Sequence, residues 1–126
     1  MDLTGADLRG AILYRVNFRG AYIHETYLSG VELAGAKGIL IIFPCGGHDD
    51  MLVAVIHPDG WRITSGFFWG TLTEFKEKIE FEHERERIDD KMAALYRVYI
   101  AMLRSIEQIY IDEMMEEREK EKEEGK

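Results

Sequence analysis

The residue types best suited to covalent or metal chemistry lie together near the middle of the chain. They are Cys45, His48, Asp49 and Asp50. A cysteine beside a histidine can supply a thiolate nucleophile, and Cys-x-x-His is half of a zinc site. No second pair of ligands follows at a zinc-finger spacing, although His57 could join the group in space. The same glycine-containing composition is typical of a polar hairpin loop, and we favour that interpretation.

Cys45 is the single cysteine of the chain, so an internal disulfide is excluded and a reducing cytosol is expected. We expect no catalytic residue, no metal ligand and no cofactor, and hence a protein that is not an enzyme. The competing hypothesis, an enzyme built on Cys45 and His48, predicts that activity is lost in Cys45→Ser. No signal peptide is visible, and no apolar run approaches the ~20 residues of a membrane span, which also predicts a cytoplasmic protein.

Acidic residues outnumber basic ones by 24 to 16, which gives a net charge of −8. This charge argues against direct binding to nucleic acid or to an anionic membrane, and it is compatible with a basic partner. Residues 71–126 alone carry a net charge of −6. The candidate partner-binding residues in this part are Glu77, Glu80, Glu84, Glu86, Asp89 and Asp90.

These acids have two interpretations. They could imitate DNA phosphates, or they could form an ordinary solvated helix face, as charge runs usually do. The basic residues Lys76, Lys78, Arg85 and Arg87 are interspersed among them and dilute the negative charge.

The part of the chain that must hold these residues in place begins with a repeat of five residues. A large apolar residue recurs at every fifth position, and a smaller residue usually lies two positions before it. The large residues are Leu3, Leu8, Leu13, Phe18, Ile23, Leu28 and Leu33. A period of five fits neither a helix nor a strand, so this internal repeat determines the architecture.

The repeat resembles the pentapeptide-repeat family, whose unit is Ala-(Asp/Asn)-Leu-X-X. Ala6-Asp7-Leu8-Arg9-Gly10 matches it fully, and Val16-Asn17-Phe18-Arg19-Gly20 is close. The resemblance covers residues 1–38 and implies a right-handed quadrilateral β-helix of about two coils. Its Leu/Phe and Ala positions would point inward, and the others, including Arg9 and Arg19, outward. At about 4.8 Å per coil it would be only about 10 Å tall and would need caps at its ends.

Residues 39–70 are predicted to form such a cap, a small antiparallel β-meander. Apolar runs at 39–43, 51–56 and 61–64 predict three strands, and the compositions at 44–50 and 58–60 predict the turns between them. Phe67, Phe68 and Trp69 follow. We expect them to plug the junction between sheet and helix, although an exposed docking patch is the alternative.

Residues 71–115 are predicted to form a helical hairpin, so the fold class is α+β. Thr71 and Glu74 form a capping box for the first helix, and Asp89 or Asp90 caps the second, long amphipathic helix. The predicted buried stripe of the first helix is Leu72, Phe75 and Ile79. That of the second is Met92, Leu95, Tyr99, Met102, Ile106 and Ile109, widened by Tyr96, Leu103 and Tyr110. Residues 116–126 are expected to be a disordered charged tail.

Two functions are compatible with this organisation. The order of repeat, sheet and helix start at Gly70-Thr71-Leu72-Thr73-Glu74-Phe75 resembles small phage-associated pentapeptide-repeat proteins, and the family includes DNA mimics. This resemblance implies an acidic inhibitor of a bacterial DNA-binding complex, with an anti-CRISPR protein acting on a surveillance complex as the specific expectation. The alternative is a structural module that forms a homodimer through the apolar stripe of its long helix.

Overall fold

A computed structural model describes residues 1–42 and 51–124 of the chain. The first 37 residues form a β-helix-like repeat in which each pentad lies beside the one four units later. Parallel bridges connect Asp2 to Tyr22, Asp7 to Tyr27, Ile12 to Glu32 and Asn17 to Lys37. Backbone hydrogen bonds accompany the bridges, as where the Leu3 amide donates to the Tyr22 carbonyl at 2.7 Å. The four-pentad spacing aligns the inward residues so that they can stack.

The pentad pattern separates the buried positions of the repeat from the exposed ones. Phe18 and Ile23 are fully buried, whereas Ile12 and Tyr22, at the second pentad position, are more than half exposed. The last residue of a pentad turns the chain with a positive φ. Glycine occupies most of these places, but Glu25 adopts φ 58° there despite its Cβ.

A four-stranded antiparallel sheet follows, in the order β1-β2-β3-β4. The strands are β1 (Ile39–Ile42), β2 (Leu52–His57), β3 (Gly60–Ser65) and β4 (Phe68–Thr71). Only three strands were predicted, and β4 was missed because its residues were interpreted as a lead into the helix. The tight turn before β3 occurs where expected, and Gly60 has φ 125° there.

The sheet is the middle layer of three. All six residues of β2 are buried, and they alternate between two apolar clusters. Val53 and Val55 pack on the repeat beside Phe18 and Ile23. Leu52, Ala54 and Ile56 pack on the opposite side against the helices, with Trp61 and Phe75 among their neighbours. One face of the sheet therefore covers the repeat, and the other face carries the helices.

Two helices form the third layer, α1 (Leu72–Glu84) and α2 (Asp90–Glu124). The capping box at Thr71 and Glu74 is present, and Leu72, Phe75 and Ile79 are buried as predicted. The amide of Met92 donates to the Asp89 carboxylate at 2.7 Å, so Asp89 is the residue that caps α2.

Helix α2 has 35 residues and does not give way to a disordered tail near residue 115. The high charge of that region was interpreted as a sign of disorder. However, Glu, Lys and Arg are good helix formers, and Glu116 lies one helical turn before Lys120, a spacing that stabilises a helix.

The buried face of α2 also differs from the predicted stripe. The buried residues are Ala93, Tyr96, Ile100, Leu103 and Met114. Met102 is 40% exposed and Ile109 is 58% exposed, although both belong to the predicted stripe. Two neighbouring stripes with the same three-and-four spacing run along α2, and periodicity alone does not choose between them. The sheet and α1 pack against the other one, which contains Tyr96 and Leu103, two of the residues predicted to widen the stripe. The Trp61 indole N–H also donates to the Leu103 carbonyl at 2.8 Å.

Candidate partner-binding surface

Three predicted acids share one side of α1, because Glu77, Glu80 and Glu84 recur three and four residues apart. Glu80 is already paired. The Arg97 guanidinium donates to both of its oxygens, at 2.8 and 2.9 Å. These hydrogen bonds lower the pKa of Glu80. Glu80 therefore stays ionised and holds α1 to α2, and the guanidinium of Arg97 offsets its negative charge.

Two further predicted acids stabilise the connection between the helices. Asp89 caps α2, as described above, and the Asp90 carboxylate lies 2.7 Å from Nε2 of His83 near the end of α1. Both side chains remain exposed. Their first role is structural, and a partner would have to compete with these contacts.

The other three predicted acids are Glu77, Glu84 and Glu86, and all are exposed. Their surroundings are of mixed charge. The guanidinium of Arg85 lies over the Phe81 ring at 4.9 Å, and that of Arg87 lies over the same ring at 5.8 Å. The six predicted residues are therefore divided between structural contacts and a surface that also carries cations.

The greatest excess of negative charge lies instead at the C-terminal end of α2. Residues 107–124 contain nine acids and three bases, a net charge of −6. Asp112, Glu116, Glu119 and Glu123 are exposed, and their spacing of four, three and four residues places them on one side of the helix. We call these four residues the outer acidic stripe. Sequence reasoning missed this stripe because the segment was expected to be disordered.

The other side of α2, at the same end of the helix, contacts the repeat. Glu117 accepts hydrogen bonds from Arg19 and, at 3.1 Å, from Lys37. Glu113 lies 3.9 Å from Arg19. Met114, between Glu113 and Glu117 in the sequence, is only 2% exposed. Arg19 was predicted to face outward, but its side chain is 9% exposed because α2 covers it. The outer acidic stripe is therefore held on an anchored helix.

A second exposed feature of α2 is apolar. Beside the buried face lie Met102 and Ile109, together with Val98, which is 63% exposed. Leu95, Tyr99 and Ile106 of the same region are partly exposed. Contiguous apolar surface of this kind typically marks an interaction site.

The three aromatic residues before α1 do not act as a single plug. Phe68 packs into the helix-side core, with its ring centroid 5.4 Å from that of Phe75, and Trp69 packs on the repeat side. Phe67 is 89% exposed at the turn between β3 and β4. Nε2 of His24 donates to its carbonyl at 2.9 Å, which fixes the turn to the repeat. Of the three residues, only Phe68 therefore lies at the junction between sheet and helix where the prediction placed them.

The segment that contains Cys45, His48, Asp49 and Asp50 lies outside the described residues, so the structure does not address the catalytic and zinc alternatives there. His57, suggested as a further ligand, is buried, and its Nε2 donates to the Ala21 carbonyl at 2.9 Å. Within residues 1–42 and 51–124, no group of three or more His, Cys, Asp or Glu side chains could hold a metal ion.

Comparison with known protein families supports the repeat. Residues 2–37 match the family described as Pentapeptide repeats (8 copies), which is less than a third of the chain. No curated protein and no solved structure matches the chain. Proteins with pentapeptide repeats are generally not enzymes. In the part of the chain that the structure describes, no helix is long and apolar enough to span a membrane.

Proposed function

We propose that the protein is a non-catalytic acidic inhibitor that occupies the DNA-binding site of a basic protein complex. The observation that carries this proposal is the outer acidic stripe on α2. Its four carboxylates extend over about 17 Å of helix, which is about one negative charge every 4–6 Å. One strand of duplex DNA carries a phosphate about every 3.4 Å of axis, so the stripe approaches the charge spacing of a DNA backbone.

The rest of the molecule serves to present the stripe. We infer that the repeat winds as a right-handed quadrilateral coil of about two turns, an inference supported by the bridges between residues twenty positions apart. Arg19 and Lys37 on this coil hold Glu117, on the inner side of α2. Carboxylates on an anchored helix lose little conformational entropy on binding, which favours affinity.

The size of the repeat restricts the class of target. A height of about 10 Å corresponds to only about three base pairs, which is too short to imitate the DNA segment bound by a topoisomerase. A compact acidic protein is better suited to a small basic pocket, such as the one where a CRISPR surveillance complex reads duplex DNA. We therefore propose an anti-CRISPR protein of phage type that acts in the bacterial cytoplasm and binds no nucleic acid itself.

The proposal is tested by reversing charge on one helix at a time. One variant combines Glu116→Lys, Glu119→Lys and Glu123→Lys, and its matched control combines Glu77→Lys, Glu84→Lys and Glu86→Lys. Both change the net charge equally, at exposed positions. In a pull-down of candidate surveillance complexes, the α2 variant should lose most of the binding, and the α1 control should lose less. Equal binding by both variants and the wild type would contradict the proposal.

A second candidate function is supported by the exposed apolar surface of α2. Met102 and Ile109 are 40% and 58% exposed although they lie within a regular apolar stripe. A structural module that forms a homodimer through this surface would cover them. Self-association of this kind is tolerant of salt, whereas binding of a basic target through carboxylates weakens as salt increases. Sedimentation and pull-down at low and high salt therefore separate the two candidates.

A further inference from the structure

We propose that two copies of the chain associate through antiparallel pairing of their α2 helices. The contact surface is the seam formed by Met92, Leu95, Tyr99, Met102, Ile106 and Ile109. These residues alternate three and four positions apart, the spacing at which two helices interdigitate their side chains. The inference rests on the second candidate function, and it adds the orientation of the two copies and the residues that meet.

The seam is available because a neighbouring stripe of α2 fills the core. Ala93, Tyr96, Ile100 and Leu103 face the sheet and α1, and this arrangement rotates the seam to the side of the helix. Ile109 remains 58% exposed there. The inner edge of the seam also touches this core, because Met92 and Ile106 pack against it, whereas Met102 and Ile109 at its outer edge remain exposed.

The repeat limits how far this seam extends. The next position after Ile109 in the same spacing is Glu113, which lies 3.9 Å from Arg19, and Lys37 contacts Glu117 one turn further on. A partner helix in parallel orientation would continue alongside these residues and collide with the repeat. A reversed partner helix starts at its own Asp90 and so begins where the seam of the first copy ends.

Charge also favours the reversed orientation. Lys91 and Asp112 are exposed and 21 residues apart, or three heptads, so they flank the seam on the same side. In a reversed pair, Met92 of one copy lies opposite Ile109 of the other, and Lys91 lies beside Asp112 of the second copy. A two-fold axis produces this ion pair twice. A parallel pair would instead place Glu113 opposite Glu113 of the second copy.

The orientation is tested by disulfide formation in a Cys45→Ser background. The Met92→Cys and Ile109→Cys proteins are first oxidised mildly in separate samples. In a third sample, the two reduced proteins are mixed and oxidised in the same way. The antiparallel arrangement predicts a mixed disulfide and no disulfide in either protein alone, because a bond requires Cα atoms about 4.4–6.8 Å apart. Disulfides within each single variant would overturn the antiparallel orientation while leaving self-association intact.

A charge exchange tests the same arrangement without cysteines. Lys91→Glu and Asp112→Lys should each weaken the dimer by several-fold in sedimentation equilibrium, and the double variant should restore the wild-type constant. A wild type that stays monomeric at all concentrations would overturn both the orientation and self-association. Asp112 also belongs to the outer acidic stripe, so Lys91→Glu is the variant that tests the dimer without altering that stripe. Binding of the basic target is measured separately, with Glu116, Glu119 and Glu123.

Discussion

Nε2 of His57, at the end of β2, donates a hydrogen bond of 2.9 Å to the carbonyl of Ala21 in the repeat. His57 is 6% exposed, and its ring centroid lies 5.4 Å from that of Tyr22 and 6.3 Å from that of Trp69, both in an edge-to-face arrangement. A buried polar bond of this kind joins two layers and is costly to break. The repeat and the sheet should therefore unfold together.

The first prediction concerns the pH dependence of stability. Burial lowers the pKa of His57 below its ordinary value, although its hydrogen bond to Ala21 opposes the shift. The unfolded chain then binds a proton at His57 at a pH where His57 of the folded protein is still neutral. The free energy of unfolding should therefore fall as the pH drops through about 6.5. Urea titrations at pH 7.5 and 5.5 measure this. His57→Gln should be less stable at pH 7.5 but should lose less on acidification, and an equal loss in both proteins would contradict the assignment.

The second prediction concerns the attachment of α2 to the repeat. Glu117→Gln removes the negative partner of Arg19, whose Nε is buried and has no hydrogen-bond partner in the described part of the molecule. We expect a loss of about 1–2 kcal/mol in the free energy of unfolding. Faster amide hydrogen exchange should also appear in the last turns of α2.

The matched control for this attachment is Glu116→Gln, at the neighbouring exposed position. It should change the free energy of unfolding by less than about 0.5 kcal/mol. If the two variants unfold at the same urea concentration, the contact of Glu117 with Arg19 contributes nothing to stability.

The third prediction concerns the turns of the repeat. Glu25 has φ 58° at a place where most pentads have glycine. Glu25→Gly should remove the steric cost of that conformation and stabilise the protein by about 0.5–1 kcal/mol, after the larger entropy of glycine in the unfolded chain is included. Thermal unfolding of this variant beside Gly30→Ala is the measurement. Gly30 has φ 69°, so Gly30→Ala should lower the melting temperature of the protein. Shifts of the melting temperature in the same direction for both variants would rule out this account.

The fourth prediction concerns the direction in which repeat residues point. Phe18→Asp should prevent folding of the repeat, because Phe18 is fully buried and a charge there would have no partner. Ile12→Asp makes a similar chemical change at an outward position that is 66% exposed, and it should be tolerated. Circular dichroism of the purified variants distinguishes them. Equal tolerance of both changes would show that the pentad register is misassigned.

The sequence was most informative where a local pattern has one physical solution. The pentad spacing, the capping box at Thr71 and the buried face of α1 were all predicted in this way. It was least informative where two solutions are locally equivalent. Two stripes along α2 have the same spacing, and packing against distant residues of the sheet and of α1, among them Trp61 and Phe75, determines which is buried.

The candidate site shows the same limit. The charge of residues 116–124 was visible in the sequence, but the cations that anchor it, Arg19 and Lys37, lie in the repeat about 80 to 100 residues earlier. Likewise, nothing local indicated that Glu80 would pair with Arg97. Contacts between distant segments decided which acids are structural and which are exposed.

The most direct test of the central proposal is a displacement titration. A candidate surveillance complex is loaded with fluorescent duplex DNA, and the wild-type protein is added at low and high salt. We predict that the protein displaces the DNA, that displacement weakens as salt increases, and that the protein binds no duplex on its own. Tight binding of the protein to the duplex, or displacement that is indifferent to salt, would contradict the account.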